Sequence, residues 1–113
     1  MKITENKISK SELRDMAKNM FGDFVKAVVD VERETIAVDA ELHADLEALL
    51  LERGSKQENL WGINLYPDLS GTDFVEFDSM INIKPRQENR SRSVENQEIR
   101  DKIISIVNKL VTK

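Results

Sequence analysis

The sequence predicts an α+β fold of two layers. A four-stranded, mostly antiparallel sheet carries three helices on one face, in the order α-β-β-α-β-β-α. Three observations lead there. Alternating apolar segments come in two pairs, each pair joined by a short polar or turn-rich connection. Stretches with helical spacing stand before, between and after those pairs. Each strand is apolar on one side only, so the helices should cover one face and leave the other wet.

The first helix spans about residues 10–21. Ser9-Lys10-Ser11-Glu12 reads as a capping box, Leu13, Met16, Ala17 and Met20 follow helical spacing, and Gly22 is a C-terminal stop. Residues 24–31 read as a strand with Val25, Ala27, Val29 and Val31 on one side and Lys26 and Asp30 on the other. Glu32-Arg33-Glu34 turns the chain. The return strand runs over 35–43, with Ile36, Val38, Ala40 and Leu42 inward and Asp39, Glu41 and His43 outward.

Asp45 is suited to cap a short helix through residue 53, with Leu46, Leu49 and Leu50 inward. Residues 60–66 form a third strand with Trp61, Ile63 and Leu65 aligned. Gly62 lies on its opposite side and lets something approach the sheet closely. After a turn over 67–72, residues 73–84 make the fourth strand. Val75, Phe77, Ile81 and Ile83 share one face; Glu76, Asp78, Asn82 and Lys84 share the other. Pro85 ends that strand, and residues 86–94 form a polar loop. Asn96 or Ser93 caps the last helix, whose stripe is Ile99, Ile103, Ile106, Val107 and Leu110.

At 113 residues the chain reads as a single domain, residues 1–113, long enough to bury a core without staples. It has no cysteine, which excludes a disulfide scaffold and thiolate metal sites and fits a cytoplasmic location. "MKITENKISKSE" has no apolar run, arguing against a secretory signal. No stretch approaches the roughly 18 apolar residues of a membrane span. The net charge of −4 argues against a dedicated nucleic-acid binder. Charge is unevenly placed: from Asp30 to Glu52 there are eight acids and one base, and from Lys84 to Arg92 four bases and one acid.

On the predicted register the open face collects Lys26, Asp30, Asp39, Glu41, His43, Asn64, Tyr66, Glu76, Asp78 and Asn82. Phe24, Phe74 and Met80 fall there too. Apolar residues on a wet face line a pocket or meet another subunit, unless they are the scattered exposures common to any protein. A symmetric homodimer through this face or a sheet edge is the subunit reading.

His43 is the sole histidine. With Glu41 and Asp45 it could ligate a divalent ion, yet alternation sets Glu41 and His43 about 7 Å apart along a strand. No spacing matches a metal motif, so no metal ligand and no cofactor is assigned. As a general base, His43 could be oriented by Glu41 or Asp78, but no nucleophile motif accompanies it.

"PRQENRSRS" is the second candidate. Arg86, Arg90 and Arg92 offer planar donor forks for phosphate or carboxylate, and Asn89, Ser91 and Ser93 add donors. The loop feeds a helix N-terminus, which favours anions. The competing reading is a solvated loop whose arginines pair with Glu88 and Glu95.

"MFGDFVKAVVDVE", "ELHADLEALLLERGSKQENLWGINLYP" and "FVEFDSMINIKPRQENRSRSVENQEIR" together resemble a family of small uncharacterised bacterial and archaeal proteins, a domain of unknown function. The resemblance spans about residues 9–110. It implies a stand-alone one-domain protein and carries over no functional residue.

The leading functional expectation is a binding module for a small anionic ligand or partner, held by Arg86, Asn89, Arg90, Ser91 and Arg92. The alternative is a metal-dependent or acid–base enzyme centred on Glu41, His43 and Asp78. A purely structural interaction module is the third reading.

Overall fold

The computed structural model describes residues 1–113. Its main sheet has five strands, all antiparallel, in the spatial order β1-β4-β3-β5-β6. These are β1 (Lys2–Thr4), β3 (Val25–Asp30), β4 (Thr35–Val38), β5 (Leu60–Leu65) and β6 (Val75–Glu76). The helices are α1 (Lys10–Lys18), α2 (His43–Glu52) and α3 (Gln97–Leu110). A separate parallel pair, β2 (Ile8–Ser9) with β7 (Val111–Thr112), ties the entry to α1 to the exit from α3.

The α+β class and the antiparallel sheet agree with the sequence reading; the strand count and the layering do not. The extra strand β1 sits on the outer edge of β4, a three-residue segment too short to show a period. The larger change is that the helices occupy both faces. Alternation in β3 sends Val25, Ala27 and Val29 to one side, where they meet Leu13 and Ala17 of α1 and Ile103, Ile106, Val107 and Leu110 of α3. Val28 points the other way and joins Ala37, Ala40 and Leu60 beneath Leu46 and Leu50 of α2. The expected single layer of helices is therefore two layers, one on each side of the sheet.

The predicted caps for α1 and α3 are present. Ser9 Oγ accepts the Glu12 N–H at 3.1 Å while Glu12 Oε1 accepts the Ser9 N–H at 3.4 Å, and Asn96 Oδ1 accepts the Ile99 N–H at 3.1 Å. Helix α2 departs from expectation. It begins at His43, with Leu42 in the capping position and no side-chain cap, so Asp45 sits inside the first turn instead of before it. An acid there still faces the positive end of the helix dipole.

Strand β4 stops at Val38, five residues short of the expected end. Asp39 adopts a left-handed backbone (φ 73°), which breaks the pleat and swings the chain over the second face. At the other end of β4, Asp30 fixes the turn that joins β3 to β4. Its Oδ1 accepts the N–H groups of Glu32 and Arg33, both at 3.0 Å, and its Oδ2 accepts the Ser55 hydroxyl at 2.6 Å. The buried Asp30 carboxylate thus ties the β3–β4 turn to the segment following α2.

The expected long fourth strand reduces to Val75–Glu76. From Asp78 onward the chain runs through short 3-10 turns at 80–82 and 85–87. Gly62 explains why it can lie so close to β5. A Cβ built on Gly62 would stand 2.5 Å from Ser79 Cβ and 2.6 Å from Ser79 Oγ. Asn82, fully buried, takes the place of a neighbouring strand there. Its Oδ1 accepts the Gly62 N–H at 2.7 Å, and its Nδ2 donates to the Gly62 carbonyl at 2.9 Å.

Candidate functional site

Helix α2 covers only half of the second sheet face. The other half carries Lys26 of β3, Asn64 of β5 and Glu76 of β6, which are aligned neighbours across the three strands. Tyr66 follows β5 on the same side by alternation. This polar shelf is what remains of the expected open face. Asp30 and Asn82, predicted there, are structural and buried. Phe74 is turned into the core on the opposite face, and Met80 is exposed on a 3-10 turn. Phe24 does lie beside the shelf. It stacks on Phe21 at 4.7 Å and leans on the Tyr66 ring at 5.5 Å, and Lys26 Nζ sits 5.0 Å above the Phe21 ring.

Hydrogen bonds organise the shelf. Asn64 Nδ2 donates to Glu76 Oε1 at 2.9 Å and to the Asp78 carbonyl at 3.4 Å, and the Tyr66 hydroxyl donates to the same Glu76 oxygen at 3.0 Å. Desolvation, followed by the Glu76 carboxylate, pushes the Tyr66 hydroxyl above its ordinary range and keeps it a donor. Asn64 Oδ1 is buried and has no hydrogen-bond partner. An unpaired buried acceptor is costly and uncommon, and it invites a donor.

His43 stands where α2 begins, at the edge of the shelf. Its expected position on an extended strand was wrong, because β4 ends before it. His43 is only 8% exposed and its Nε2 lies 2.8 Å from the Ile63 carbonyl. A carbonyl can only accept, so Nε2 carries the proton and Nδ1 holds the lone pair of the neutral ring. Burial pushes the His43 pKa below the ordinary value, opposed by the Ile63 bond. The nearby charges of Lys26 and Arg92 lower it further, and that of Asp78 raises it.

Asp78 and Arg92 form an ion pair at 2.6 Å between Oδ1 and Nε. Arg92, from the polar loop, and Asp78, from the segment after β6, are thereby brought into the electrostatic field of His43. Glu41 is not. It lies exposed on the turn between β4 and α2, and its charge is not among those that shift the His43 ring. No group of three or more His, Cys, Asp or Glu side chains is gathered as it would be around a metal ion.

The rest of the loop is built around its own acid. Glu95 Oε2 accepts the N–H of Arg90, the N–H of Ser91 and the Ser91 hydroxyl, each at 2.9 Å. Those bonds, led by the Ser91 N–H, hold the Glu95 carboxyl below the usual carboxylate range. Asn89 is buried: Nδ2 donates to the carbonyls of Asn82 and Ser93 at 2.7 Å, and Oδ1 accepts the Glu95 N–H at 2.8 Å. Asn89 and Ser91 therefore serve the loop's own shape. Arg86 and Arg90 are exposed and form no ion pair, and the Arg92 side chain bonds only Asp78, through Nε, leaving its terminal nitrogens free.

A cavity of about 640 Å³ opens beside the shelf along the outer edge of β6. Tyr66 and Glu76 belong to both its wall and the shelf; Phe77, Arg100 and Asp101 line its far side.

The sequence matches the family described as "Protein of unknown function (DUF5674)" over residues 2–110. The chain belongs to that family. No curated protein and no solved structure matches it. The DUF5674 assignment agrees with the resemblance read from the sequence segments and brings no activity or ligand with it. No helix of this DUF5674 chain is long and apolar enough to cross a membrane.

Sequence reasoning placed Lys26, His43, Asn64, Tyr66, Glu76 and Asp78 on one face, and these are the residues at the shelf. It missed Phe21 and the inward role of Glu95. In the sequence Glu95, just before the Asn96 cap, reads only as a partner for arginine side chains; nothing there shows that it folds back onto backbone N–H groups.

Proposed function

We propose that this chain is a cytoplasmic binding module for a small anionic ligand, seated on the polar shelf, with Arg92 and Lys26 as its charged contacts. The supporting observation is convergence. Both cations reach the His43 ring electrostatically, while the buried Asn64 Oδ1 beside them has no partner. Arg92 keeps its terminal nitrogens, the part of a guanidinium that grips carboxylate or phosphate in pairs. His43 Nδ1 is an acceptor, so the ligand carries a hydroxyl or amine as well as its anionic group. The adjoining cavity has the size of a small-ligand pocket. Arg86 and Arg90 form an outer, solvated fringe, and Asn89 and Ser91 act by holding the loop.

The single imidazole makes the test direct. Phosphate and a panel of small hydroxy- and amino-carboxylates are titrated into the protein while the His43 ring resonances are followed by NMR. A saturable shift, lost in Arg92→Ala and weakened in Lys26→Ala, is expected. Absence of a saturable shift across the panel, or one unchanged in Arg92→Ala, removes the proposal.

A second reading rests on the pairing of a neutral His43 with the charge of Asp78. On that reading His43 Nδ1 accepts a proton from a bound substrate and Asp78 stabilises the imidazolium that forms. Turnover lost in His43→Gln, with ligand binding retained, would favour it.

A further inference from the structure

Lys84 is a lysine buried without a carboxylate partner. It is 9% exposed, and none of the five ion pairs includes it. Its Nζ donates to the Gln57 carbonyl at 2.6 Å and lies 5.2 Å from the centre of the Trp61 ring. The side chain forms part of the wall of a cavity of about 360 Å³, together with Gln57, Ile81, Ile83 and Arg86. This cavity shares no residue with the shelf.

We propose that Lys84 is a reactive amine that forms imines with small aldehydes or ketones bearing an anionic group, which Arg86 holds in the same cavity. The chemistry needs three things. The first is an amine that gives up its proton readily. Burial lowers the Lys84 pKa, and Glu47 is the one charge that opposes the shift. The second is a fixed direction of attack, which the short bond to the Gln57 carbonyl supplies by holding one N–H. The third is a carbonyl held close by. Arg86 is a guanidinium with no ion-pair partner, in a cavity whose wall is completed by Ile81, Ile83, Pro85 and the neutral side chains of Gln57 and Gln87. Desolvated lysines are the ones that act as Schiff-base nucleophiles.

The step balances without a redox partner. The Nζ lone pair attacks the carbonyl carbon, the C–N bond forms, and the carbonyl π electrons move to oxygen. A proton passes from nitrogen to oxygen, and the carbinolamine loses water to leave C=N.

The test uses the intact protein near neutral pH. Glyoxylate, an anionic aldehyde, and acetaldehyde, a neutral one, are each supplied with cyanoborohydride, and labelling at every lysine is read by mass spectrometry after digestion. Free amine rises about tenfold for each unit by which a lysine's pKa falls. Lys84 is therefore expected to label with glyoxylate faster than exposed Lys18. Arg86→Ala should slow glyoxylate labelling several-fold while leaving acetaldehyde labelling at Lys84 unchanged. Labelling at Lys84 no faster than at Lys18 overturns the reactive amine, and equal effects of Arg86→Ala on both aldehydes overturn the anion requirement.

Discussion

Asn82 satisfies both backbone groups of Gly62 with a single carboxamide, accepting from the N–H at 2.7 Å and donating to the carbonyl at 2.9 Å. It thereby stands in for a strand where β6 is too short to reach. Its Nδ2 also donates to the Arg92 carbonyl at 2.9 Å, so the same side chain couples the sheet edge to the loop that carries Arg92. Asn82→Ala would strand buried donors and acceptors on β5 and should lower stability by on the order of 2–4 kcal/mol. Urea unfolding measures this; a loss under about 0.5 kcal/mol would mean that water replaces the carboxamide at little cost.

Gly62→Ala tests the close approach from the other side. The new methyl would collide with Ser79, and overpacking of this kind costs about 1–3 kcal/mol. Removing the Ser79 side chain should relieve it. In a double-mutant cycle, Ser79→Gly is expected to recover part of the Gly62→Ala loss, and strict additivity of the two would show that the contact is not the cause.

Asp30→Ala removes the acceptor for two turn N–H groups and for the Ser55 hydroxyl. The expected loss is roughly 2–4 kcal/mol, since buried donors are left unmet. Ser55→Ala should cost less, because Asp30 keeps its two backbone partners. Thermal melts of the two variants decide the order, and a larger loss for Ser55→Ala would reverse the roles assigned here.

Glu95 predicts a local effect. In Glu95→Ala the amides of Arg90 and Ser91 lose their acceptor, so their hydrogen exchange should accelerate while amides in β3 and β5 keep their protection. Unchanged exchange at Arg90 and Ser91 would show that the carboxylate does not hold the loop.

Much of the fold is legible in local chemistry. Ser9, Glu12 and Asn96 announce two helix starts, alternation from Val25 to Val29 orients β3, and Gly62 signals a close approach. The errors share one cause. Asp39, Glu41 and His43 kept a strand's period on paper, but the left-handed backbone at Asp39 ends β4 and sends α2 to the other face. Val28, Ala37 and Leu60, apolar at positions outside the main core, were the trace of that second layer. The segment 77–84 alternates as well, yet the carboxamides of Asn82 and Asn89 do the work of a ladder there, and no period reports side-chain clamps. Shelf membership survived these errors because Lys26, Asn64 and Glu76 depend on β3, β5 and β6, whose register alternation does describe.

The His43 ring makes stability depend on pH. Its folded pKa lies below the ordinary value of about 6.5, so the unfolded chain binds the proton more readily. Its contribution is fully present above about 6.5 and is lost as pH falls from there through the folded pKa. Denaturation midpoints across that window should fall more steeply in the natural protein than in His43→Gln. Parallel curves would argue against a buried, neutral ring.

The most direct test of the whole arrangement is an NMR pH titration of the single imidazole, with its tautomer read from ring nitrogen shifts. The neutral ring should carry its proton on Nε2 and titrate below about 6.5, and Arg92→Ala should move the midpoint upward by removing a nearby cation. A ring protonated on Nδ1, titrating at or above that value and indifferent to Arg92→Ala, would contradict the placement of His43 beside Arg92 at the edge of the shelf.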